Sequence, residues 1–85
     1  MNIPELKEIL KNEKIPERYY LLDARGIRED KTCLEFLDDL WLVYYSERGK
    51  KYDVAEFANE SDACGEMLQR LRVIHEKAKN RKRSS

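Results

Sequence analysis

Residues 32–57 decide the fold, and they read TCLEFLDDLWLVYYSERGKKYDVAEF. Three runs rich in apolar, aromatic and β-branched residues are typical of β-strands; they are residues 32–37, 40–46 and 51–57. Asp38-Asp39 separates the first two runs, and Glu47-Arg48-Gly49-Lys50 separates the last two, which predicts two tight turns. The third run is expected to point Tyr52, Val54 and Phe57 inward, and its imperfect alternation predicts a β-bulge.

Helices are predicted on both sides of these strands. Apolar residues recur at helical spacing from Ile3 to Leu10, which predicts a helix over residues 2–13 with Asn2 as N-cap. A second apolar stripe from Cys64 to Ile74 predicts a helix that begins after Asn59 or Ser61 and frays near Lys79. Residues 19–22 form a short strand candidate, followed by a turn at Asp23-Ala24-Arg25-Gly26.

The order α-β-β-β-β-α predicts an α+β fold. We expect an antiparallel β-meander of about four strands, with the N- and C-terminal helices packed on one face. Eighty-five residues are enough for one domain, which we place at residues 1–79. Residues 80–85 contain no apolar side chain and are expected to form a basic disordered tail.

The charges are unevenly distributed along the chain. Lysine and arginine number 17 and aspartate and glutamate also number 17, so the formal net charge is zero. Residues 76–85 nevertheless contain five basic residues and one acidic residue, whereas residues 29–62 contain ten acidic and four basic residues. An acidic body disfavours direct nucleic-acid binding and favours a basic protein partner.

Several functional classes are disfavoured by the residues. No apolar run reaches the roughly 18–20 residues that span a bilayer, and the N-terminus lacks a signal-peptide pattern, so we expect a cytoplasmic protein. His75 is the only histidine, and Cys33 and Cys64 show no metal-ligand spacing, so neither a metal nor a cofactor is expected. No constellation suggests catalysis, since Asp38-Asp39 is most simply a solvated turn, and we expect a protein that is not an enzyme.

A protein-interaction surface is the remaining candidate site. In the second strand Leu42 and Tyr44 share one face, and that face is expected to be exposed if both helices cover the other. Carboxylates surround this face in the predicted hairpins, a composition that suits protein recognition. The candidate contact residues are Asp38, Asp39, Leu42, Tyr44, Glu47, Asp53 and Glu56. An alternative is that the sheet is covered on both sides.

One resemblance suggests a function. Ile15-Pro16-Glu17-Arg18-Tyr19-Tyr20, then Trp41 to Gly49 (WLVYYSERG), then Phe57 followed by Ala63-Cys64, resemble a family of small bacterial immunity proteins. These proteins accompany polymorphic toxins, including those of contact-dependent growth inhibition systems. The family has no shared catalytic residues, so the contact residues named above come from the face and charge argument alone.

The resemblance implies an immunity protein that binds one cognate toxin C-terminal domain in a 1:1 complex. Such a protein would occlude the active site or substrate surface of a toxin that is basic and a nuclease. The carboxylates would stand where phosphates bind, with Tyr44 or Leu42 as the apolar anchor. The alternative is a small adaptor or regulatory protein that contacts nucleic acid through its basic C-terminal tail.

Overall fold

The structure is a computed structural model that describes residues 1–22 and 30–83. Its elements are α1 (Ile3–Asn12), a 3₁₀ turn (Glu17–Tyr19), β1 (Tyr20–Leu21), β2 (Lys31–Leu37), β3 (Leu40–Glu47), β4 (Lys50–Phe57) and α2 (Glu60–Arg83). This order confirms the α+β class for the part of the chain that is described. The predicted turn at residues 23–26 lies outside it.

The sheet has the strand order β1-β2-β3-β4, and its last three strands form the predicted antiparallel meander. The first strand differs from the prediction, because β1 pairs with β2 in parallel, Tyr20 beside Thr32 and Leu21 beside Cys33. Residues 22–30 separate the two strands, a connection longer than a tight hairpin turn. No local turn therefore dictates their relative direction, and the expectation of an entirely antiparallel sheet was wrong at β1.

The predicted bulge lies in β4. Val43 pairs with Ala55 but Tyr45 pairs with Tyr52, so β4 contains one extra residue in this interval. Asp53 has a positive φ of 53° there. The extra residue changes which face the following side chains occupy. Val54 follows the bulge and is exposed, so the expectation that it points inward was wrong. Tyr52 precedes the bulge and pairs with Tyr45, but it is also exposed rather than part of the core, whereas Phe57 packs against the core as expected.

Both helices lie on one face of the sheet, as predicted. Their buried side chains form one cluster with the strands: Leu6 and Leu10 from α1, Met67 and Leu71 from α2, and Leu34 and Val43 from the sheet. Removing these large apolar side chains from water is the main stabilising contribution to such a fold.

Local signals explain where α1 begins and ends. Asn2 accepts a hydrogen bond from the Glu5 backbone N–H at 2.9 Å, and the Glu5 carboxylate accepts from the Asn2 N–H, forming a capping box. At the other end Lys14 has a φ of 57°, and the Ile15 N–H donates to the Leu10 carbonyl at 3.0 Å. This is the Schellman pattern, with a buried apolar residue directly after the left-handed position.

The second helix runs beside α1 in the same direction. Asn59 caps it by accepting from the Asp62 N–H at 2.8 Å, which selects one of the two predicted caps. Glu60 accepts from the Ile3 N–H at 2.8 Å at one end of the pair, and Arg72 donates to Glu13 near the other. The helix continues to Arg83, beyond Lys79, where fraying was expected. The disordered tail expected at residues 80–85 stays a prediction. Basic residues near a helix C-terminus interact favourably with the helix dipole and support this extension.

Candidate functional site

The five acidic residues of the predicted surface are not brought together. Asp38 and Asp39 form the turn between β2 and β3, whereas Glu47 ends β3 at the turn before β4. β3 contains eight residues, and at about 3.3 Å per residue its two ends lie about 23 Å apart. The two predicted turns therefore present their carboxylates at opposite ends of the sheet.

Asp53 and Glu56 lie on different faces. Asp53 occupies the bulge and lines a cavity on the helix-covered side together with Tyr45 and Arg70. Glu56 pairs with Leu42, which belongs to the opposite face. A partner that docks on one face would thus meet only one of these two carboxylates.

Leu42 and Tyr44 do not form an exposed surface, which corrects the sequence prediction. Leu42 is 8% exposed and Tyr44 is 1% exposed. With Cys33 they make a second buried cluster, on the sheet face opposite the helices, and Leu21 and Leu40 pack against it. Neither residue can anchor a partner without this cluster opening first.

A polar contact among three strands explains why Tyr44 is buried. Its hydroxyl donates to Glu35 Oε1 at 2.7 Å, and Lys51 Nζ lies 3.2 Å from the same oxygen. The Lys51 ammonium also lies 4.9 Å from the centre of the Tyr44 ring. We call Glu35, Tyr44 and Lys51 the three-strand tie, because they join β2, β3 and β4. A buried hydroxyl and carboxylate that satisfy each other have no need of solvent.

Burial favours the protonated form of two groups at this contact, the Cys33 thiol and the Tyr44 hydroxyl. Burial raises the pKa of the Cys33 thiol to about 11. Burial, followed by the hydrogen bond to Glu35, raises the pKa of the Tyr44 hydroxyl. Both cysteines are free and buried. Cys33 is thus a neutral thiol at physiological pH, which is the less nucleophilic form.

Two exposed apolar residues mark a different surface, which the sequence reasoning missed. Phe36 is 55% exposed and Leu37 is 43% exposed, and they are the last two residues of β2. Phe36 packs on Trp41 with the ring centres 4.8 Å apart. Consecutive strand residues point to opposite faces, so two apolar residues just before a charged turn were a readable signal of exposed apolar surface.

The turn that follows is also unusual. Asp38 and Asp39 are exposed and have positive φ angles of 53° and 65°, the pattern of a type I′ turn. We call Phe36, Leu37, Asp38 and Asp39 the hairpin tip. The tip combines solvent-exposed apolar side chains with two adjacent carboxylates, and this combination is the composition expected of a surface that binds a basic protein.

Two other kinds of feature are absent from the described residues. Within residues 1–22 and 30–83, no group of three or more histidine, cysteine, aspartate or glutamate side chains is arranged to hold a metal ion. Over the same residues, neither helix is sufficiently apolar along its length to cross a membrane.

Comparison with known proteins adds no relative. No protein-family model, no curated protein and no solved structure matches this chain. The likeness to immunity proteins therefore rests on the residues quoted for it, and the argument for function rests on the surface of the molecule.

Proposed function

We propose that this chain is an immunity protein, which binds a cognate bacterial toxin domain and neutralises it by occlusion rather than by catalysis. It acts in the cytoplasm of the producing cell as a 1:1 complex with the toxin C-terminal domain. The observation that carries the proposal is the hairpin tip, where Phe36 and Leu37 are exposed beside Asp38 and Asp39. The strand-and-turn resemblance to immunity proteins supports the same function.

In this proposal the hairpin tip supplies the apolar contact with the toxin domain that the sequence assigned to Leu42 and Tyr44. Phe36 and Leu37 take the role given to Leu42 and Tyr44, because an anchor must be accessible before binding and buried afterwards. Asp38 and Asp39 keep their proposed role. Their charges steer a basic partner into place and occupy positions that substrate phosphates would take on a nuclease.

The remaining carboxylates take smaller roles in this proposal. Glu56 pairs with Leu42, which pairs in turn with Glu35, the residue before Phe36, so Glu56 adds to the acidic field around the tip. Glu47 lies at the far end of β3 and Asp53 faces α2, so neither contacts a toxin domain bound at the tip. This division makes Glu47 a matched control for Asp38 and Asp39.

A growth assay tests the function. The C-terminal domain of the protein encoded immediately upstream is expressed in a bacterial host, with and without this chain. We expect the upstream domain to stop growth and this chain to restore it, and the two proteins to copurify at equal stoichiometry. An upstream domain that is not toxic, or toxicity that this chain leaves unchanged, would remove the immunity assignment.

A second assay tests the acidic tip within that function. Asp38→Lys with Asp39→Lys should slow association and weaken protection, because opposite charge accelerates encounter. Glu47→Lys, at the opposite end of β3, should protect as well as the wild type. Equal loss in both variants would show that net charge matters rather than the tip.

The alternative function uses the other end of the molecule. α2 has 24 residues and is about 36 Å long at 1.5 Å per residue, so it is longer than the strands it covers. Its last turns carry the basic sequence that ends at Arg83. A nucleic-acid adaptor predicts a salt-dependent shift of DNA or RNA mobility that disappears when residues 77–85 are deleted; no binding at low salt excludes it.

A further inference from the structure

A groove lies between α1 and the β1–β2 side of the sheet. Its volume is about 1160 Å³, and its apolar lining includes Ile3, Ile15, Leu34 and Phe36. Cationic side chains from α1 and the segment after it line the same groove: Lys7, Lys11, Lys14 and Arg18. The groove is distinct from the acidic turn of the hairpin tip, although Phe36 borders both.

The groove is positively charged in spite of the acidic body around it. Its described lining residues include five basic side chains and two acidic ones, Glu8 and Glu17. Lys7, Lys11 and Lys14 are exposed, and none of them forms an ion pair with a described residue. Residues 1–75 contain 12 basic and 16 acidic residues. The excess of positive charge is therefore a local property of this groove.

A strand edge borders the groove. β1 pairs with Thr32 and Cys33 only, so within the described residues Leu34, Glu35, Phe36 and Leu37 have a strand partner on the β3 side alone. In an antiparallel ladder the backbone groups of alternate residues point away from the partner strand. Such an edge can accept another extended chain through main-chain hydrogen bonds.

We propose that this groove binds an extended acidic segment of a partner protein, which adds a strand to β2 beside residues 34–37. Its carboxylates point to the α1 side of the sheet and pair with Lys7, Lys11 and Lys14. Its alternate apolar side chains point to the other side, where Leu21 is half-buried and Leu37 is exposed. A peptide fits better than a nucleic acid, because only a peptide backbone complements both the donors and the acceptors of a strand edge. This edge shares Phe36 and Leu37 with the hairpin tip, but peptide binding is measured without a toxin domain, so either proposal can fail while the other holds.

Titration of the isotope-labelled full chain with synthetic peptides tests this inference. The probes are a short peptide of alternating glutamate and valine, its lysine–valine counterpart, and the glutamate peptide N-methylated on alternate backbone nitrogens. We expect the glutamate peptide to shift the amide resonances of residues 34–37 and of α1. The lysine peptide should not bind, and methylation of the edge that faces β2 should abolish binding.

Two protein variants test whether the lysines of α1 contribute to binding of the glutamate peptide. Lys7→Glu with Lys11→Glu should weaken binding of the glutamate peptide at least about tenfold, which corresponds to about 1.4 kcal/mol. Lys50→Glu, on the far edge of the sheet, should leave the affinity unchanged, and thermal unfolding checks that both variants fold. Equal binding of the two peptides, unperturbed residues 34–37, or tighter binding of oligothymidylate at the same lysines would each overturn the proposal.

Discussion

The two hairpins of the sheet have the same turn geometry but different sequences. Asp38 and Asp39 have φ angles of 53° and 65°, and Arg48 and Gly49 have φ angles of 52° and 80°. Glycine adopts a positive φ without steric penalty, whereas aspartate does so at a modest cost. The β3–β4 turn thus has a favourable residue at its second position, and the β2–β3 turn has a second carboxylate instead.

The residues that precede the two turns also differ, in their exposure to solvent. Phe36 and Leu37 are exposed before the first turn, whereas Ser46 is buried before the second. The first turn thus keeps Asp39, a less favourable turn residue, next to the exposed side chains of Phe36 and Leu37. Such a combination is typical of a functional surface rather than of a simple chain reversal. Under the proposed function, the second turn serves folding and the first serves recognition of the toxin domain.

The largest expected effect is on binding at the first hairpin. Phe36→Ala with Leu37→Ala should weaken binding to the cognate toxin domain at least about thirtyfold, because truncating a central anchor commonly costs about 2 kcal/mol or more. Titration calorimetry measures this. The control is Arg48→Ala at the second turn, which should change the affinity less than about threefold. Equal affinity of the first variant and the wild type would place the binding surface elsewhere.

The next effect concerns the three-strand tie, which joins the two hairpins. Tyr44→Phe removes the hydroxyl that donates to Glu35 at 2.7 Å and should lower the free energy of unfolding by about 1.5–3 kcal/mol. Tyr45→Phe is the matched control, because the Tyr45 hydroxyl makes no hydrogen bond to a described residue; its effect should stay within about 0.5 kcal/mol. Chemical denaturation measures the free energy of unfolding of both variants. Equal losses would show that the three-strand tie does not stabilise the fold.

A glycine exchange tests the second hairpin. Gly49→Ala should destabilise the fold by about 1–2 kcal/mol, because alanine is strained at a φ of +80° although nothing lies within 4 Å of the added Cβ. Gly65→Ala, in α2 with equally open surroundings, should stabilise it by about 0.5–1 kcal/mol. The two variants differ only in backbone conformation. The same sign of change in both would contradict the account of the turn.

A glycine introduced into the turn of the first hairpin should raise the stability of the fold. Asp39→Gly relieves the positive φ of 65° and should stabilise the fold by about 0.5 kcal/mol while weakening binding to the toxin domain. Denaturation and calorimetry on the same variant measure the two effects. A variant that is less stable, or that binds more tightly, would show that Asp39 is retained for folding instead.

The smallest effect at neutral pH is at Cys33, beside the tie. Burial raises the pKa of this thiol from 9.0 to about 11, so the folded state holds the proton more tightly than the unfolded state. The resulting stability is complete below the unfolded pKa and is lost as the pH rises from about 9 through 11. Cys33→Ala should flatten this part of the stability profile; an unchanged slope would contradict the assignment.

The sequence predicted elements whose signals are local. The N-cap at Asn2, the three strands of the meander, both of its turns and the bulge in β4 all follow from neighbouring residues. The parallel pairing of β1 did not, because two residues of strand have no register without a tertiary partner.

Burial of Tyr44 was missed for a related reason. It depends on Glu35 and Lys51, which are 9 and 7 residues away in the sequence and meet only when three strands are aligned. Phe36 and Leu37 are exposed at the end of β2, beyond the two residues that pair with β1. The sequence reasoning therefore expected exposed side chains at Leu42 and Tyr44, which are buried, and missed the exposure of Phe36 and Leu37.

Hydrogen exchange in the complex tests the central claim most directly. The full chain is bound to the upstream toxin domain, and the exchange of backbone amides is compared with that of the free chain, residue by residue. The account predicts slower exchange at residues 36–39, in the first hairpin, and unchanged exchange at residues 47–50, in the second. Slowing confined to residues 47–50, or unchanged exchange at residues 36–39 in a stable complex, would contradict it.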